Sequence, residues 1–359
     1  MAKKILFTGG GSAGHVTLNL ALVPIFQKEG WEISYIGSMR GIEKDLVSKI
    51  ENIKYFEIHT GKLRRYFSLK NFLDMMKIPL GMIQAYFIVR KEKPDVIFSK
   101  GGFVSFPVVV AGWLNRVKVI MHESDVTPGL ANKLSLPFVT KFFTTFDDTI
   151  KYVKNKSKVE YVGPVVSDRL KKGVAEKGYE FCGLTDFKPI LLVMGGSLGA
   201  KSINDAVRKN LEFILKKYQV IHLCGKGQLA QDIKKKGYLQ YEYVNKELPD
   251  LMAIADVVIS RSGSNSIFEF LSLNKPMVLV PLPSRASRGE QSLNAKSFED
   301  KGFCEIIEDE ELGNGKEFLY VINKVYENKE DYAKAMKDAK TPMASDKSVY
   351  KKIVEIAKI

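Results

Sequence analysis

The chain has 359 residues, of which 45% are hydrophobic and 27% charged, and its formal net charge is +14. This length allows two domains of ordinary size, and the composition excludes a disordered or fibrous protein. The charge predicts an anionic partner, which is either nucleic acid, an acidic lipid surface or a phosphorylated substrate.

No targeting or metal motif stands out. The start, MAKKILFTGG, has too few successive apolar residues for a signal peptide, and the longest apolar stretch, residues 106–114, is far short of a membrane span. We therefore expect the protein to stay in the cytosol. Three cysteines without C-x-x-C spacing and four histidines without H-E-x-x-H indicate neither a disulfide framework nor a metal held by the protein.

Apolar runs alternate with helical segments through the first half of the chain. Strands are predicted at KKILFT, WEISYIG, PDVIFSKGGF, VKVIMHES and KFFTTF, and the first helix at residues 18–28. Runs of this length between helices predict a parallel sheet wrapped by helices, which is an α/β fold.

The same pattern restarts after a basic stretch, IKYVKNKSKVEYVGP. Further strands are predicted at PILLVMGG, YQVIHLCG, YEYV, ADVVISRSG and PMVLVPLP. We therefore expect two doubly wound Rossmann-like domains facing a cleft, over residues 1–163 and 164–340. The amphipathic helix in residues 341–359 is expected to pack back on the first domain.

The first glycine loop satisfies a dinucleotide fingerprint only formally. Gly9, Gly11 and Gly14 have G-x-G-x-x-G spacing, but the next strand ends in Ser38 and Arg40 rather than in the acid that NAD requires. A serine and an arginine suit the phosphorylated ribose of NADP, so an NADP enzyme is one alternative. A tight turn that only packs strand on helix is another.

Three more glycine loops follow predicted strands. Gly195–Gly199 precedes a helix whose N-terminus is suited to a phosphate without metal, although the spacing is not that of a Walker A loop. Gly101 and Gly102 form the third loop, and residues 260–270 the fourth. Their recurrence in two matching halves favours ligand binding over turns alone.

A series of motifs resembles the MurG family of bacterial cell-wall glycosyltransferases, which have the GT-B architecture. In chain order they are TGGGSAGHV, GIEKDLV, SKGGFVSFPVVVA, HESDVTPGLANK, LLVMGGSLGAKSIN, SRSGSNSIFEFL and RGEQSLNAKSFEDKGF. The resemblance implies a hexosyltransferase that moves N-acetylglucosamine from UDP-GlcNAc to the 4-hydroxyl of the muramoyl sugar of undecaprenyl-linked lipid I. The transfer inverts the anomeric carbon and forms lipid II for peptidoglycan synthesis. The resemblance therefore also implies a role in cell shape and cell division.

In that family the C-terminal domain holds the donor. The implied donor residues are Gly196, Ser197, Val244, Arg261, Glu269, Gln291 and Asn294. Ser197 is placed at the diphosphate, Val244 at the uracil and Glu269 at the ribose hydroxyls. From spacing alone Glu269 also fits a capping box with Ser266, and the pair Gln291 and Asn294 also fits a solvated helix face.

Two positions depart from the family pattern near the donor: Glu290 stands before Gln291 where many members have a second glutamine, and the more serious departure is at Val166. Val166 stands where the family usually carries an arginine close to the diphosphate. Arg169, Arg261 and Lys201 are the alternatives for that charge.

The resemblance places the acceptor on the N-terminal domain. The implied loop residues for the acceptor and its diphosphate are Gly11, Ser12, Gly14, Gly101 and Gly102, with Asn132 as a further contact. His15 ends a glycine loop at a helix start, which disfavours the imidazolium, so we expect it to act as general base or to orient the acceptor hydroxyl. Glu123 is the second catalytic candidate. Alternatively His122 and Glu123 form a buried support.

Residues 62–93 are expected to contact an anionic membrane. Leu69, Phe72, Leu73 and Met76 recur at helical spacing, and a cluster of aromatic and basic residues precedes them: Lys62, Arg64, Arg65, Tyr66 and Phe67. The alternative is a helix that faces the core and has a solvated basic side. The expected location is the cytoplasmic face of the cell membrane, as a peripheral protein.

The expected partners are UDP-GlcNAc, lipid I, the membrane surface and other cell-wall synthesis proteins. No nucleic acid is expected, because no recognition module accompanies the charge. No cofactor and no metal held by the protein are expected. The rival functions are another sugar transferase, a UDP-GlcNAc epimerase and a nucleotide-sugar-binding module without turnover.

Overall fold

The computed structural model describes residues 3–61, 69–196, 199–283 and 288–358, with the backbone alone for residue 13 and residues 69–76. The chain divides into two compact units. Unit 1 comprises Met1–Val165 and Ala344–Ile359, and unit 2 comprises Val166–Met343.

Unit 1 is built on a seven-stranded parallel sheet of order β3-β2-β1-β4-β5-β6-β7. The strands are β1 (Lys4–Thr8), β2 (Glu32–Ser38), β3 (Ile53–Ile58), β4 (Val96–Ser99), β5 (Lys118–Glu123), β6 (Lys141–Thr144) and β7 (Val159–Tyr161). In β1, Ile5 and Phe7 pack into one apolar cluster and Leu6 into another, one on each face of the sheet. Burial on both faces is the reason why the central strands read as continuous apolar runs.

Unit 2 contains a six-stranded parallel sheet of order β10-β9-β8-β11-β12-β13. Its strands are β8 (Ile190–Met194), β9 (Gln219–Leu223), β10 (Tyr238–Tyr241), β11 (Val257–Ser260), β12 (Met277–Leu279) and β13 (Cys304–Ile306). The cysteines, all in this unit, are buried and free of disulfides.

Helices link the strands in both units. They are α1 (Thr17–Lys28), α2 (Ile42–Val47), α3 (Leu69–Glu92), α4 (Ser105–Leu114), α5 (Leu130–Ser135), α6 (Ala175–Cys182), α7 (Lys201–Lys209), α8 (Leu211–Lys217), α9 (Leu248–Ile254), α10 (Ser264–Ser272), α11 (Glu290–Glu299), α12 (Gly315–Glu327), α13 (Lys329–Asp338) and α14 (Asp346–Ala357). Within the described ranges, no helix has the length and apolar character to cross a bilayer.

The strand order reverses at the centre of each sheet. In unit 1 the reversal lies between β1 and β4, and in unit 2 between β8 and β11. Ligands of open parallel sheets bind outside the carboxyl ends of the strands at such a point. All four glycine loops of the sequence follow these strands, so each unit has a pair of them at its reversal.

The expectation of two Rossmann-like domains is confirmed, but the edges of the sheets differ from the predicted strands. The strand predicted at YEYV is wrong by three residues, because β10 pairs with β9 through Tyr238–Tyr241. The sequence analysis also omits β3, β7 and β13, which are edge strands with partly exposed residues. Half-buried edges lack the apolar run that marks a central strand.

Helix α14 packs within unit 1. Val349 and Ile353 are fully buried in the cluster that contains Phe26 of α1, and the Tyr350 and Phe26 rings meet edge to face at 4.8 Å between centroids. The Lys118 ammonium donates to the carbonyl of Ile356 at 2.9 Å. The last turn of α14 is therefore attached to the first residue of β5.

Candidate active site

The two glycine loops of unit 1 touch each other. Gly11, Gly101 and Gly102 have φ values of +89°, +92° and +86°, which favour glycine. The Gly10 amide donates to the Gly101 carbonyl at 3.3 Å, and a Cβ at Gly102 would overlap the Gly10 carbonyl. The close approach, as well as the dihedral angle, therefore requires glycine at residue 102.

A buried carboxylate from α2 holds the first loop. Glu43 is fully buried and accepts hydrogen bonds from the amides of Gly11 at 3.1 Å and Ser38 at 3.0 Å. The sequence analysis does not name this residue. Glu43 belongs to the motif GIEKDLV, but as an acid in the first turn of a short helix its presence is explained by capping alone.

His15 ends a 3₁₀ turn, Ala13–His15, between the first loop and α1. Its Nδ1 lies 3.1 Å from the Lys100 carbonyl oxygen. A carbonyl only accepts, so Nδ1 carries the hydrogen and the lone pair of the neutral ring lies on Nε2. The expected general base therefore has the tautomer that can take a proton at Nε2. Ser12 and Gly14, beside it, are exposed.

The Glu123 carboxylate is fully engaged in supporting the loop after β5. It is buried and accepts hydrogen bonds from the amides of Ser124 at 2.9 Å, Asp125 at 3.2 Å and Gly129 at 3.0 Å and from Asn132 Nδ2 at 2.8 Å. This saturation favours the structural alternative for Glu123 over a catalytic one. Asn132 is likewise buried, and its Oδ1 has no hydrogen-bond partner within the described residues.

Lys100, which belongs to the motif SKGGFVSFPVVVA but is assigned no role from the sequence, is a buried cation that directly follows β4. It is 4% exposed, and its ammonium donates to His122 Nδ1 at 2.9 Å and to Ser124 Oγ. Burial lowers the pKa of Lys100 to about 8, against the charges of Glu123 and Asp125, which raise it. Burial and the Lys100 charge hold the pKa of His122 well below its usual value, so His122 is the neutral acceptor of this bond.

The first glycine loop of unit 2 is a tight turn between β8 and α7. Gly196 has φ +89° with open space at its Cβ position, whereas a Cβ at Gly199 would overlap the Cys224 carbonyl. The Gly199 amide donates to the Gly196 carbonyl at 2.9 Å. Ser197 lies outside the described residues.

Glu269 and Arg169 form the charged part of unit 2's candidate site. Burial raises the pKa of Glu269, on α10, to about 7, and the Arg169 charge opposes this shift. Arg169 donates to Asn245 Oδ1 at 2.8 Å, and the preceding residue, Val244, is buried. The predicted ribose and uracil residues are thus linked through Arg169 and Asn245.

Arg261 is held in the interior of unit 2. Its guanidinium pairs with Asp309 at 2.5 Å and donates to the carbonyls of Val280 and Pro281. The Lys201 ammonium is exposed and pairs with Asp205. Arg261 and Lys201 are thus each paired with an aspartate. Arg169, whose charge acts on the Glu269 carboxyl, is therefore the favoured source of the positive charge that is missing at Val166.

Gln291 and Asn294 join α11 to the loop after β11. Gln291 Oε1 accepts from the Leu282 amide at 3.2 Å, and its carbonyl accepts from Ser262 Oγ at 2.9 Å. Asn294 is fully buried and donates to the Ser262 carbonyl at 3.2 Å. This burial excludes the solvated-face alternative for Asn294.

Two Rossmann-like units with paired glycine loops at the reversals of their strand order are the components of the GT-B architecture. The model of the glycosyltransferase family 28 N-terminal domain matches residues 5–144, and that of the C-terminal domain matches residues 190–352. Relatives in Geobacillus kaustophilus and Clostridium tetani are each 53% identical over 340 residues, covering 94% of this chain and 95% and 94% of their own. Both are named UDP-N-acetylglucosamine--N-acetylmuramyl-(pentapeptide) pyrophosphoryl-undecaprenol N-acetylglucosamine transferase. The chain belongs to this family of glycosyltransferases, the MurG family.

Solved structures agree on the fold. The MurG crystal structure from Acinetobacter baumannii superposes with a TM-score of 0.78 at 21% identity, covering 99% of this chain and 100% of that one. A putative UDP-N-acetylglucosamine 2-epimerase from Listeria monocytogenes reaches 0.69 at 13% identity, covering 99% and 96%. Because a putative epimerase shares the architecture, the fold alone does not distinguish a glycosyltransferase from an epimerase. The sequence relatives, which are named as transferases, make that distinction.

Proposed function

We propose that this chain transfers N-acetylglucosamine from UDP-GlcNAc to the muramoyl 4-hydroxyl of undecaprenyl-linked lipid I, forming lipid II in peptidoglycan synthesis. The observation that carries this proposal is the 53% identity over 94% of the chain to transferases named for that reaction. The residues of unit 1 and unit 2 supply complementary parts of the chemistry.

In unit 1, His15 is the proposed base. As the acceptor oxygen attacks the anomeric carbon, its proton passes to His15 Nε2, the nitrogen left basic by the bond to the Lys100 carbonyl. The attack comes from the face opposite UDP, so the C1–O bond breaks with inversion and UDP leaves with the electron pair. Gly11, Ser12, Gly14, Gly101, Gly102 and Asn132 remain the proposed acceptor residues.

In unit 2, Glu269 accepts hydrogen bonds from the ribose hydroxyls and main-chain groups at Val244 read the uracil. The amides of Gly196 and Ser197 and the start of α7 receive the diphosphate, with Arg169 adding a positive charge. Gln291 and Asn294 contact the transferred sugar. Arg261 acts by fixing the loop after β11.

We propose that these groups neutralise the departing UDP without a metal held by the protein or any other cofactor. UDP release by the purified enzyme in excess EDTA tests this. Unchanged turnover supports the proposal, and a loss of turnover that added divalent cation restores contradicts it.

The transferase proposal is tested by UDP release with and without a lipid I analogue in detergent. We expect release only with the acceptor, and a fall in kcat of about 10²–10⁴ in His15→Asn, whose amide nitrogen matches Nδ1 in position and can still donate to the Lys100 carbonyl. A nucleotide-sugar-binding module would bind UDP-GlcNAc and release no UDP with any acceptor.

Membrane association is a separate proposal, in which unit 1 lies peripherally on the anionic cytoplasmic face of the cell membrane. Its support is a row of exposed apolar residues on α3: Leu80, Ile83 and Phe87 are 44%, 56% and 62% exposed. On the same helix Ala85 and Val89 face the core. The helix therefore buries one apolar face and leaves a second one exposed.

The end of α4 extends this exposed row. Trp113 and Leu114 are each 52% exposed, and the neighbouring Asn115 donates to the Tyr86 carbonyl of α3. Lys77, Arg90 and Lys91 of α3 are exposed cations. The predicted cluster Lys62, Arg64, Arg65, Tyr66 and Phe67 lies outside the described residues, as do the side chains of Leu69, Phe72, Leu73 and Met76.

Flotation with phosphatidylglycerol vesicles tests the membrane proposal. Ile83→Ser with Phe87→Ser should weaken vesicle binding at least about tenfold, because it removes apolar surface from the row. Phe213→Ser, at a residue of unit 2 that is 59% exposed, is the matched control and should bind as the parent does. Equal binding by all three proteins would contradict the proposal.

A further inference from the structure

Arg40 lines a cavity of unit 1 that the proposed chemistry leaves unused. The cavity measures about 540 Å³ and lies where β1, β2 and β3 end, with Gly11, Arg40 and His59 from the three loops in its wall. Its size falls in the range of small-molecule sites, roughly 300–1,000 Å³.

Two cationic side chains, Arg40 and Lys77, line the cavity. Arg40 is exposed, and within the described part of the chain neither a hydrogen bond nor an ion pair engages its guanidinium. No Asp or Glu occurs among the described lining residues of the cavity. An unopposed guanidinium is suited to a carboxylate or phosphate, which it can contact with two parallel bonds.

Apolar surface accompanies this charge. Met39 and Ile42, which are 46% and 43% exposed, and the ring of Phe103 complete the wall. A ligand with aliphatic groups and a negative charge therefore fits better than a bare anion.

The cavity adjoins the loop that leads to His15. Gly11 belongs to both, and the Glu43 carboxylate ties the Gly11 amide to the Ser38 amide beside Arg40. A group bound here therefore lies next to the residues proposed to hold the reacting sugar.

We propose that this cavity receives the peptide of the acceptor and that Arg40 pairs with one of its carboxylates. The inference rests on the proposed function. In a muramoyl sugar the peptide leaves from O3, next to the attacking 4-hydroxyl, whereas the diphosphate leaves from C1 across the ring. The peptide therefore lies nearer than the diphosphate to the hydroxyl that His15 deprotonates, and its aliphatic and acidic groups match the apolar and cationic side chains of the wall.

The test compares two lipid I analogues, one with free peptide carboxylates and one with these converted to carboxamides. For the free acid, Arg40→Gln should raise the acceptor KM about tenfold, the worth of one charge-assisted contact, with kcat and the UDP-GlcNAc KM unchanged. For the amidated acceptor the variant and the parent should have the same KM. Arg40→Lys should lie between parent and Arg40→Gln for the free acid.

Lys49→Gln, which removes an exposed cation of the same unit outside the cavity, is the control for net charge. An equal rise in KM for both acceptors in Arg40→Gln would assign Arg40 to the diphosphate and overturn the proposal. So would no rise for either, or the same rise in Lys49→Gln. If the parent turns over neither acceptor, the proposed function itself is wrong, which is a different result from turnover insensitive to Arg40.

Discussion

At the scale of single residues, burial sets the charge state of Glu269, the carboxylate that we propose binds the donor. The pKa of Glu269 is raised to about 7, so this group titrates near physiological pH. In the proposed donor site the ionised carboxylate offers an acceptor oxygen to each ribose hydroxyl, whereas protonation converts one of these oxygens into a donor. Burial of an ionised Glu269 is unfavourable for folding, and under the proposed function the same residue serves donor binding, which is a common conflict at functional sites.

We predict that UDP-GlcNAc affinity weakens as the pH falls below 7, approaching about tenfold per pH unit. Glu269→Gln should bind more weakly at pH 8 and lose this dependence, because an amide does not titrate in that window. Calorimetric titration between pH 5.5 and 8.5 measures both. Parallel pH profiles for parent and variant would assign the dependence to another group.

The same shift has a consequence for stability. A carboxyl whose pKa is higher folded than unfolded favours the folded state most below its unfolded value of 4.5, and this contribution is lost as the pH rises through about 7. Thermal unfolding should therefore show Glu269→Gln gaining over the parent at pH 8, with a smaller gain at pH 5.5. A gain that is independent of pH would exclude titration of Glu269 as its cause.

Substitutions of Arg261 and Arg169 should have different effects: the first should lower the free energy of unfolding, and the second should lower donor affinity. Arg261→Met leaves the Asp309 carboxylate without its cationic partner and with a hydrogen bond from Ser202 Oγ, a loss that typically costs about 3–5 kcal/mol and that urea unfolding should detect. Arg169→Gln alters an exposed side chain, so its unfolding free energy should change by less than about 1 kcal/mol while donor affinity falls. Normal stability with lost donor binding in Arg261→Met would make Arg261 the diphosphate contact instead.

At the scale of elements, the central strands and the glycine loops were predictable from the sequence because both have local causes. A strand covered on both faces reads as an apolar run, and a loop with positive φ requires glycine. The edge strands β3, β7 and β13 have neither signal. Glu43 and Lys100 were missed because their roles depend on partners such as Gly11 and His122, which are distant in sequence.

The two glycine loops of unit 1 are in contact at Gly102 but not at Gly14. Substitution of Gly102 therefore tests the contact, and substitution of Gly14 is its control. Gly102→Ala combines φ +86° with overlap at the Gly10 carbonyl, so we expect a loss of about 1–3 kcal/mol in urea unfolding and a lower kcat. Gly14 has open space at its Cβ position, so Gly14→Ala should stay within about 0.5 kcal/mol of the parent. Equal stability of the two variants would show that the loops do not constrain each other.

At the scale of the whole molecule, the chain leaves unit 1 after Val165 and returns to it at Ala344. Ala344, which forms an isolated β-bridge with Val165, and helix α14 complete the core of the first unit, so unit 1 is built from two separate segments of the sequence. A change near the last residues should consequently be felt in unit 1 rather than in unit 2.

Ile353→Ala tests this arrangement. The side chain is fully buried against α1, and its truncation should cost about 2–5 kcal/mol. Both tryptophans of the chain lie in unit 1, and Trp31 packs on Phe26, the ring that Tyr350 of α14 contacts. Tryptophan fluorescence therefore follows unit 1 during urea unfolding, and its midpoint should fall in Ile353→Ala.

Lys351→Ala, on the exposed side of α14, should leave the midpoint in place, since surface truncations usually change stability by less than about 0.5 kcal/mol. If the fluorescence midpoint stays unchanged in Ile353→Ala, α14 adds no stability to unit 1, and the first part of the chain must supply that core by itself.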